Sequence, residues 1–345
     1  MPQIVRVLIV DDSAYVRKVV TQMLSRSPAI EVVGTARNGA DALEMVEELR
    51  PDVVTSDLNM PVLDGVGFVA AQMRRRPLPI IIISIAAGAG AQVLAALDAG
   101  AVDFVQKPTA LATEKLMDIA DELIEKVKAA AGAPLRPLSS IDMALPVQVL
   151  APDAPRGNVD IVVMGISTGG PQGLKVVIPQ LPASFPVPIA MVMHMPIGYT
   201  EMYAQNLNQL SALAVTEARD DEPIVPGSVY LAPAGRHLTF RRQGGRVMTH
   251  LDVRPLDTPH RPAVDVLFHS AAEVFDGRVL GVVMTGMGSD GREGAAWIKA
   301  KGGVIFTESE ESCVVYGMPR SVVEAGLSDG VFPLELMARA IMERV

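Results

Sequence analysis

The 345-residue sequence has a single cysteine, Cys313, which excludes an internal disulfide framework and a cysteine-based zinc site and fits a reducing compartment, the cytoplasm. It has no basic excess. Thirty Lys+Arg against 39 Asp+Glu leave a formal charge of −9, whereas a nucleic-acid binder ordinarily presents a basic face. The opening residues MPQIVRVLIVDD lack the basic n-region, long apolar core and cleavage site of a signal peptide. Two uncharged stretches have the length of a membrane span. Residues 77–97 carry Pro77, Pro79, Gly88 and Gly90 around an isoleucine run of strand length, and residues 176–200 hold five prolines, so both read as folded α/β segments instead. No internal repeat or low-complexity tract is present. What is there is apolar: 49% hydrophobic and 20% charged residues exclude a disordered chain, and the length predicts about two domains.

Residues 1–128 alternate short β-branched runs (5–10, 32–35, 53–56, 80–85, 102–105) with helix-like segments (about 14–27, 39–50, 64–74, 90–99, 114–128). Continuous apolar strands between amphipathic helices predict a doubly wound five-stranded parallel sheet. Residues 129–157 hold five prolines and no sustained period, and read as a linker. A second α/β domain follows over 158–345, with strands predicted at 159–166, 187–193, 228–232, 278–285 and 303–307. Its helices are predicted near 171–180, 199–210, 263–275, 291–300, 319–325 and 334–344, and residues 237–253 alternate around Gly244-Gly245 as a β-hairpin.

Ligands of open α/β sheets bind beyond the carboxyl ends of the strands. In the first domain those ends deliver Asp11 and Asp12, then Asp57, Ser84 and Lys107. Converging carboxylates repel one another and need a counter-charge, which a hard divalent cation such as Mg²⁺ supplies. An aspartate beside that cation can attack a phosphoryl group in line and become an acyl phosphate, with Lys107 and the Ser84 hydroxyl on the phosphate oxygens. Each residue alone would be an ordinary polar strand end; four at four expected ends favour a site. VLIVDDS, SDLNMPVLDG, PIIIISI and GAVDFVQKP resemble the receiver domain of two-component response regulators over residues 5–125. The resemblance implies that Asp57 is the phospho-acceptor, that Asp11, Asp12, Asp57 and the backbone carbonyl of Asn59 bind Mg²⁺, and that Ser84 and Phe104 are switch positions. The small-residue loop Ser84–Gly90 departs from the more polar one expected there.

In the second domain Gly165-Ile166-Ser167-Thr168-Gly169 is a G-x-S-x-G turn between a buried strand and a helix. It suits an exposed nucleophile with helix N–H groups for an oxyanion, or equally a phosphate-binding turn. A serine nucleophile needs a base. His194 closes the strand 187–193, whereas His237 and His250 fall in the hairpin region, His260 in a proline-flanked loop and His269 inside a helix, which leaves His194 as the best placed. Asp290, in a glycine-rich turn after strand 278–285, reads either as the N-cap of the next helix or as the group orienting the imidazole; with Ser167 and His194 it favours a triad. The chain order Ser–His–Asp differs from the Ser–Asp–His of α/β-hydrolases.

GISTGGP, MHMPIGYT, VYLAPAGRHL, HRPAVDVLF and MTGMGSDGREG resemble, in order, the catalytic domain of the CheB family of chemotaxis methylesterases over about residues 158–345. The resemblance implies a cytoplasmic serine hydrolase with Ser167 as nucleophile, His194 as base and then acid, and Asp290 as orienter. Thr168 and Met287 lie beside them, with the Met287 N–H at the oxyanion site. It further implies that γ-glutamyl methyl esters of chemoreceptors release methanol, that certain receptor glutamines are deamidated, and that hydrolysis needs no cofactor. The protein would be peripheral to the membrane only through its receptors. A histidine kinase would phosphorylate Asp57 and relieve a receiver that covers the Ser167 cleft. Three rivals stand beside this. A DNA-binding output is opposed by 15 Lys+Arg against 20 Asp+Glu in residues 158–345. A receiver-linked phosphate-binding module would not react with serine-directed inhibitors. A receiver-controlled esterase of another ester differs only in cleft shape.

Overall fold

The computed structural model describes residues 4–84, 90–107, 113–132 and 159–345. They form two compact units, within Met1–Ser140 and Ile141–Val345. The loop Ile85–Ala89, Pro108–Leu111 with Ala112, and most of the segment expected as linker lie outside the described residues.

The first unit runs β1 (Val5–Val10), α1 (Ala14–Leu24), β2 (Ile30–Ala36), α2 (Gly39–Leu49), β3 (Val53–Ser56), α3 (Gly65–Arg75), β4 (Ile80–Ser84), α4 (Gly90–Asp98), β5 (Asp103–Gln106) and α5 (Thr113–Ala131). Helix α5 continues into the stretch expected as linker. The all-parallel sheet has the order β2-β1-β3-β4-β5. Its strands read as continuous apolar runs because helices cover both faces: β3 and β4 are buried at every position. Local chemistry sets the helix starts. Ser13, Asn38 and Asp64 accept the N–H groups of Val16, Asp41 and Gly67 as N-caps. The chain leaves β1 first toward β2 and later toward β3, so the crevice between β1 and β3 is the topological switch point.

The second unit runs β6 (Ile161–Ile166), α6 (Gly170–Val177), β7 (Ile189–Met193), α7 (Thr200–Leu210), β8 (Ala214–Glu217), β9 (Ser228–Leu231), β10 (His237–Gln243), β11 (Arg246–Asp252), α8 (Val264–Phe275), β12 (Val279–Val283), α9 (Arg292–Ala300), β13 (Val304–Glu308), α10 (Met318–Glu324), β14 (Gly330–Phe332) and α11 (Leu334–Arg344). Seven parallel strands form a sheet ordered β14-β13-β12-β6-β7-β9-β8. β10 and β11 form the separate antiparallel hairpin, turning at Gly244 and Gly245, both at positive φ. It packs on α8, where Phe240 meets Phe275 edge to face at 5.6 Å. The sequence reading missed β8 and β14. They are edge strands of four and three residues with a single neighbour each, too short to show a continuous apolar run. Central β6, β7, β12 and β13 are buried throughout. The chain departs from β6 toward β7 and returns to its other side with β12, which places the switch point at the carboxyl ends of β6 and β12. Among the described residues no helix is long and apolar enough to cross a membrane.

Candidate active site

Ser167 is the first residue past β6. The register Ile166↔Met193 continues into Ser167 beside His194, with the His194 N–H on Ile166 O at 3.2 Å. On the other side Val283 pairs with Gly165, and the Ser167 N–H donates to Thr285 O at 2.9 Å. Neighbouring strands lie about 4.8 Å apart, so the backbones at Ser167 and His194 are one strand spacing from each other. Two glycines make this turn possible. Gly169 adopts φ +82° as the N-cap of α6, a conformation a side chain disfavours. Gly286 packs on Ser167 itself: a Cβ there would lie 2.8 Å from Ser167 Cβ and 2.3 Å from Met318 Sδ.

His194 Nε2 lies 2.8 Å from Asp290 Oδ2, with both side chains nine-tenths buried or close to it, at 12% and 10% exposure. Burial opposes the Asp290 charge, but hydrogen bonds from His194 and from the N–H groups of Asp265 and Val264 outweigh it and hold the carboxyl below the ordinary aspartate value. An ionised Asp290 only accepts, so Nε2 carries the hydrogen of this contact. The link between Ser167 and His194 is strand adjacency; their side chains are not hydrogen-bonded, as is common in sites without substrate.

Asp290 lies in the turn between β12 and α9. It does not cap α9, whose N-cap is Gly291 without a side-chain bond. Its carboxylate instead receives the first N–H groups of α8, Val264 to Oδ2 at 2.8 Å and Asp265 to Oδ1 at 2.9 Å. Asp265 returns the arrangement: its Oδ1 accepts Gly291 at 2.9 Å and Gly294 at 2.7 Å at the start of α9. Burial, reinforced by the Asp290 charge, pushes Asp265 up to about 6. This reciprocal capping ties the turn bearing Asp290 to α8, and nothing in the spacing of HRPAVDVLF announces it. Thr168 is buried and Met287 half-buried. Among the described residues neither N–H meets a protein acceptor, and each residue follows one of the touching pair Ser167 and Gly286.

Behind the turn sits a residue the sequence reading passed over. Glu308, fully buried at the end of β13, accepts the Thr285 N–H at 2.8 Å and the Ser312 hydroxyl at 3.0 Å. Thr285 in turn donates its hydroxyl to Thr168 O at 2.9 Å. Of the other histidines, His250 pairs with Asp220 at 3.1 Å, His269 packs edge-on against Trp297 at 4.5 Å, and His237 is fully buried.

The first unit brings its predicted cluster together. Lys107 Nζ reaches Asp11 at 2.7 Å and Asp57 at 3.0 Å. Carboxylate oxygens of Asp11, Asp12 and Asp57 come within 4.8 Å of one another. Burial raises the Asp11 pKa, against the lowering effect of Lys107. The Ser84 hydroxyl is buried at the end of β4 and has no hydrogen-bond partner among the described residues, an orphan donor that a phosphoryl oxygen would satisfy. Three hard oxygen donors and that orphan fit a Mg²⁺-dependent phosphorylation site. Asn59 is exposed two residues beyond Asp57, and Phe104 is buried with its carbonyl held by Lys126 at 2.8 Å.

Fold and site define a class: a receiver domain joined to an α/β domain whose strand ends gather serine, histidine and aspartate. Comparison with known proteins agrees. The CheB methylesterase family model matches residues 162–341, and the response regulator receiver domain model matches residues 7–121. A protein of Myxococcus xanthus (strain DK1622) named protein-glutamate methylesterase/protein-glutamine glutaminase 5 is 49% identical over 99% of this chain and 98% of its own length. A Thermotoga maritima protein named protein-glutamate methylesterase/protein-glutamine glutaminase is 40% identical over 99% of both chains. The crystal structure of the Thermotoga maritima CheB methylesterase catalytic domain superposes with a TM-score of 0.53 and 44% identity, covering 54% of this chain and 99% of that one. The chain belongs to the CheB methylesterase family.

Proposed function

We propose that this protein hydrolyses γ-glutamyl methyl esters on methyl-accepting chemoreceptors and deamidates receptor glutamines, under control of phosphorylation at Asp57. The observation that carries the reading is the 2.8 Å contact of His194 with Asp290 at strand ends flanking Ser167. His194 Nδ1 takes the Ser167 proton as Oγ attacks the ester carbonyl. The N–H groups of Thr168 and Met287 receive the oxyanion. His194 returns the proton to the departing methoxide, and methanol leaves. Water, deprotonated by the same nitrogen, cleaves the acyl-enzyme to a glutamate carboxylate and free serine. With a glutamine side chain the leaving group is ammonia. Asp290 keeps the imidazole in one tautomer and stabilises the imidazolium.

In the receiver, Asp57 Oδ attacks the phosphorus of a kinase phosphohistidine, the P–N bond breaks, and the histidine leaves. Asp11, Asp12 and Asp57, with the Asn59 carbonyl, would hold Mg²⁺, which neutralises phosphoryl oxygens when bound. Lys107 pairs with one phosphate oxygen and the Ser84 hydroxyl donates to another; Phe104 reports the change. The phosphoryl group activates the hydrolase by favouring its unrestrained state. The chemistry takes place in the cytoplasm, where the receptor's modified helices and the kinase lie. Incubation with methyl-labelled receptor membranes tests the scheme: the wild type releases labelled methanol and Ser167→Ala does not. Equal release from both overturns it.

A further inference from the structure

The loop between β11 and α8 carries a residue that this scheme leaves unused. The His260 ring stacks on His194, with centroids 4.1 Å apart and planes inclined by 28°. The loop is fastened on both sides of it. Upstream, Pro255 O meets His237 Nε2 at 3.1 Å and Leu256 O accepts from Arg261 at 3.2 Å. Downstream, Arg261 O accepts the Gly235 N–H at 2.9 Å and the Ala263 N–H donates to His237 Nδ1 at 3.2 Å. A ring nitrogen that accepts a backbone N–H carries no proton, so His237 is the neutral tautomer donating from Nε2 to Pro255 O. Burial lowers its pKa, in the same direction. His237 is thus a buried pin between the two ends of the loop, and His260 is the exposed ring that the pinned loop lays over the base.

Of the His194 ring nitrogens, Nε2 lies on Asp290, while Nδ1, which the proposed scheme turns to Ser167, makes no hydrogen bond to that hydroxyl. What the triad itself leaves loose is the tilt of the ring plane about its Cβ–Cγ bond. A flat ring in van der Waals contact blocks that rotation from one face and keeps water off the same face. We propose that His260 is a positioning residue of the hydrolase, holding the His194 imidazole in the plane from which Nδ1 meets the Ser167 hydroxyl. The proposal rests on the assignment of His194 as base, not on the identity of the ester. It assigns to His260 no proton transfer and no contact with the reacting atoms.

The test is the rate at which a fluorophosphonate probe labels Ser167 in the full-length protein, compared among wild type, Ser167→Ala, His260→Ala and His260→Phe. Because His260 is exposed, its removal leaves the core intact, and melting temperatures check this. His260→Ala should lower the maximal labelling rate by about tenfold with the half-saturating probe concentration unchanged, as expected for a misplaced base. His260→Phe, which keeps a flat ring, should recover to within about twofold of wild type. A His260→Ala protein labelled at the wild-type rate overturns the proposal. So does one whose half-saturation alone shifts, which would make His260 a binding residue, and so does a His260→Phe protein as slow as His260→Ala. Labelling needs no receptor, so an error in the substrate reading leaves these rates untouched. An error in the nucleophile shows separately, as equal labelling of wild type and Ser167→Ala, and removes the proposal with it.

Discussion

Glu308 shows how much a single buried side chain can bear on the turn that presents Ser167, the proposed nucleophile. It is fully buried, and burial raises its pKa from an ordinary 4.5 to about 7, against the hydrogen bonds from Thr285 and Ser312. A carboxyl that holds its proton more tightly when folded stabilises the fold in full below about 4.5 and loses that contribution as pH rises through about 7. Both protonation states find partners. The ionised form accepts from Thr285 and Ser312; the neutral form can donate to Ser312 Oγ, whose hydroxyl then turns to Ser309 O at 3.3 Å. Glu308→Gln mimics the neutral form at every pH. Its melting temperature should lie close to wild type near pH 4.5 and exceed it by roughly 6–12 °C near pH 8.5, since a rise from 4.5 to about 7 is worth on the order of 3 kcal/mol. Scanning calorimetry at the two pH values measures it. A difference independent of pH would show that Glu308 does not titrate in this range.

At the scale of elements, the site is made by three strand ends and two helix starts. β6, β7 and β12 bring Ser167, His194 and the Thr285–Asp290 turn to one edge, and α8 and α9 lock that turn through Asp290 and Asp265. A tight point is Gly286, where the turn after β12 meets the turn after β6. Gly286→Ala would drive a methyl against Met318 Sδ at 2.3 Å and Ser167 Cβ at 2.8 Å, and only one of these neighbours has a flexible end. The expected cost is about 1–3 kcal/mol of stability for overpacking. Displacing Ser167, the proposed nucleophile, should reduce kcat by roughly 10²-fold. Urea unfolding and methanol release from the folded protein separate the two effects. A folded Gly286→Ala protein with wild-type kcat would show that the two turns can part without loss.

At the scale of the whole molecule, the two units have separate sheets, separate switch points and separate chemistries. On the proposed control by phosphorylation, the phosphoryl group shifts the hydrolase from a less active to a more active state. Asp57→Ala should abolish stimulation by a small acyl phosphate donor while leaving the basal methanol release. Removal of Mg²⁺ should do the same to the wild type, because three clustered carboxylates without their cation repel a phosphoryl group. A fragment of Ile141–Val345, freed of its receiver, should exceed the unphosphorylated full chain in activity. Equal stimulation of wild type and Asp57→Ala would remove the phospho-acceptor assignment, and a slower fragment would remove the restraint.

The amino-acid order by itself determined the two parallel sheets, because strands covered on both faces must be apolar from end to end and so stand out between amphipathic helices. It also singled out Asp57, Ser167, His194 and Asp290, since α/β ligands gather at strand ends and these polar residues interrupt apolar runs there. Short edge strands such as β8 and β14 escaped it, having one neighbour and no run to display. Only the folded chain decided that Asp290 caps α8 and not α9, that Asp265 answers it, that Glu308 supports Thr285, and that His260 lies on His194. These contacts join residues 23 to 66 positions apart through side chains, and the pairing depends on where two loops come to rest over the sheet. Local periodicity carries information over a few turns or one strand; which loop meets which is settled by the packing of the whole domain.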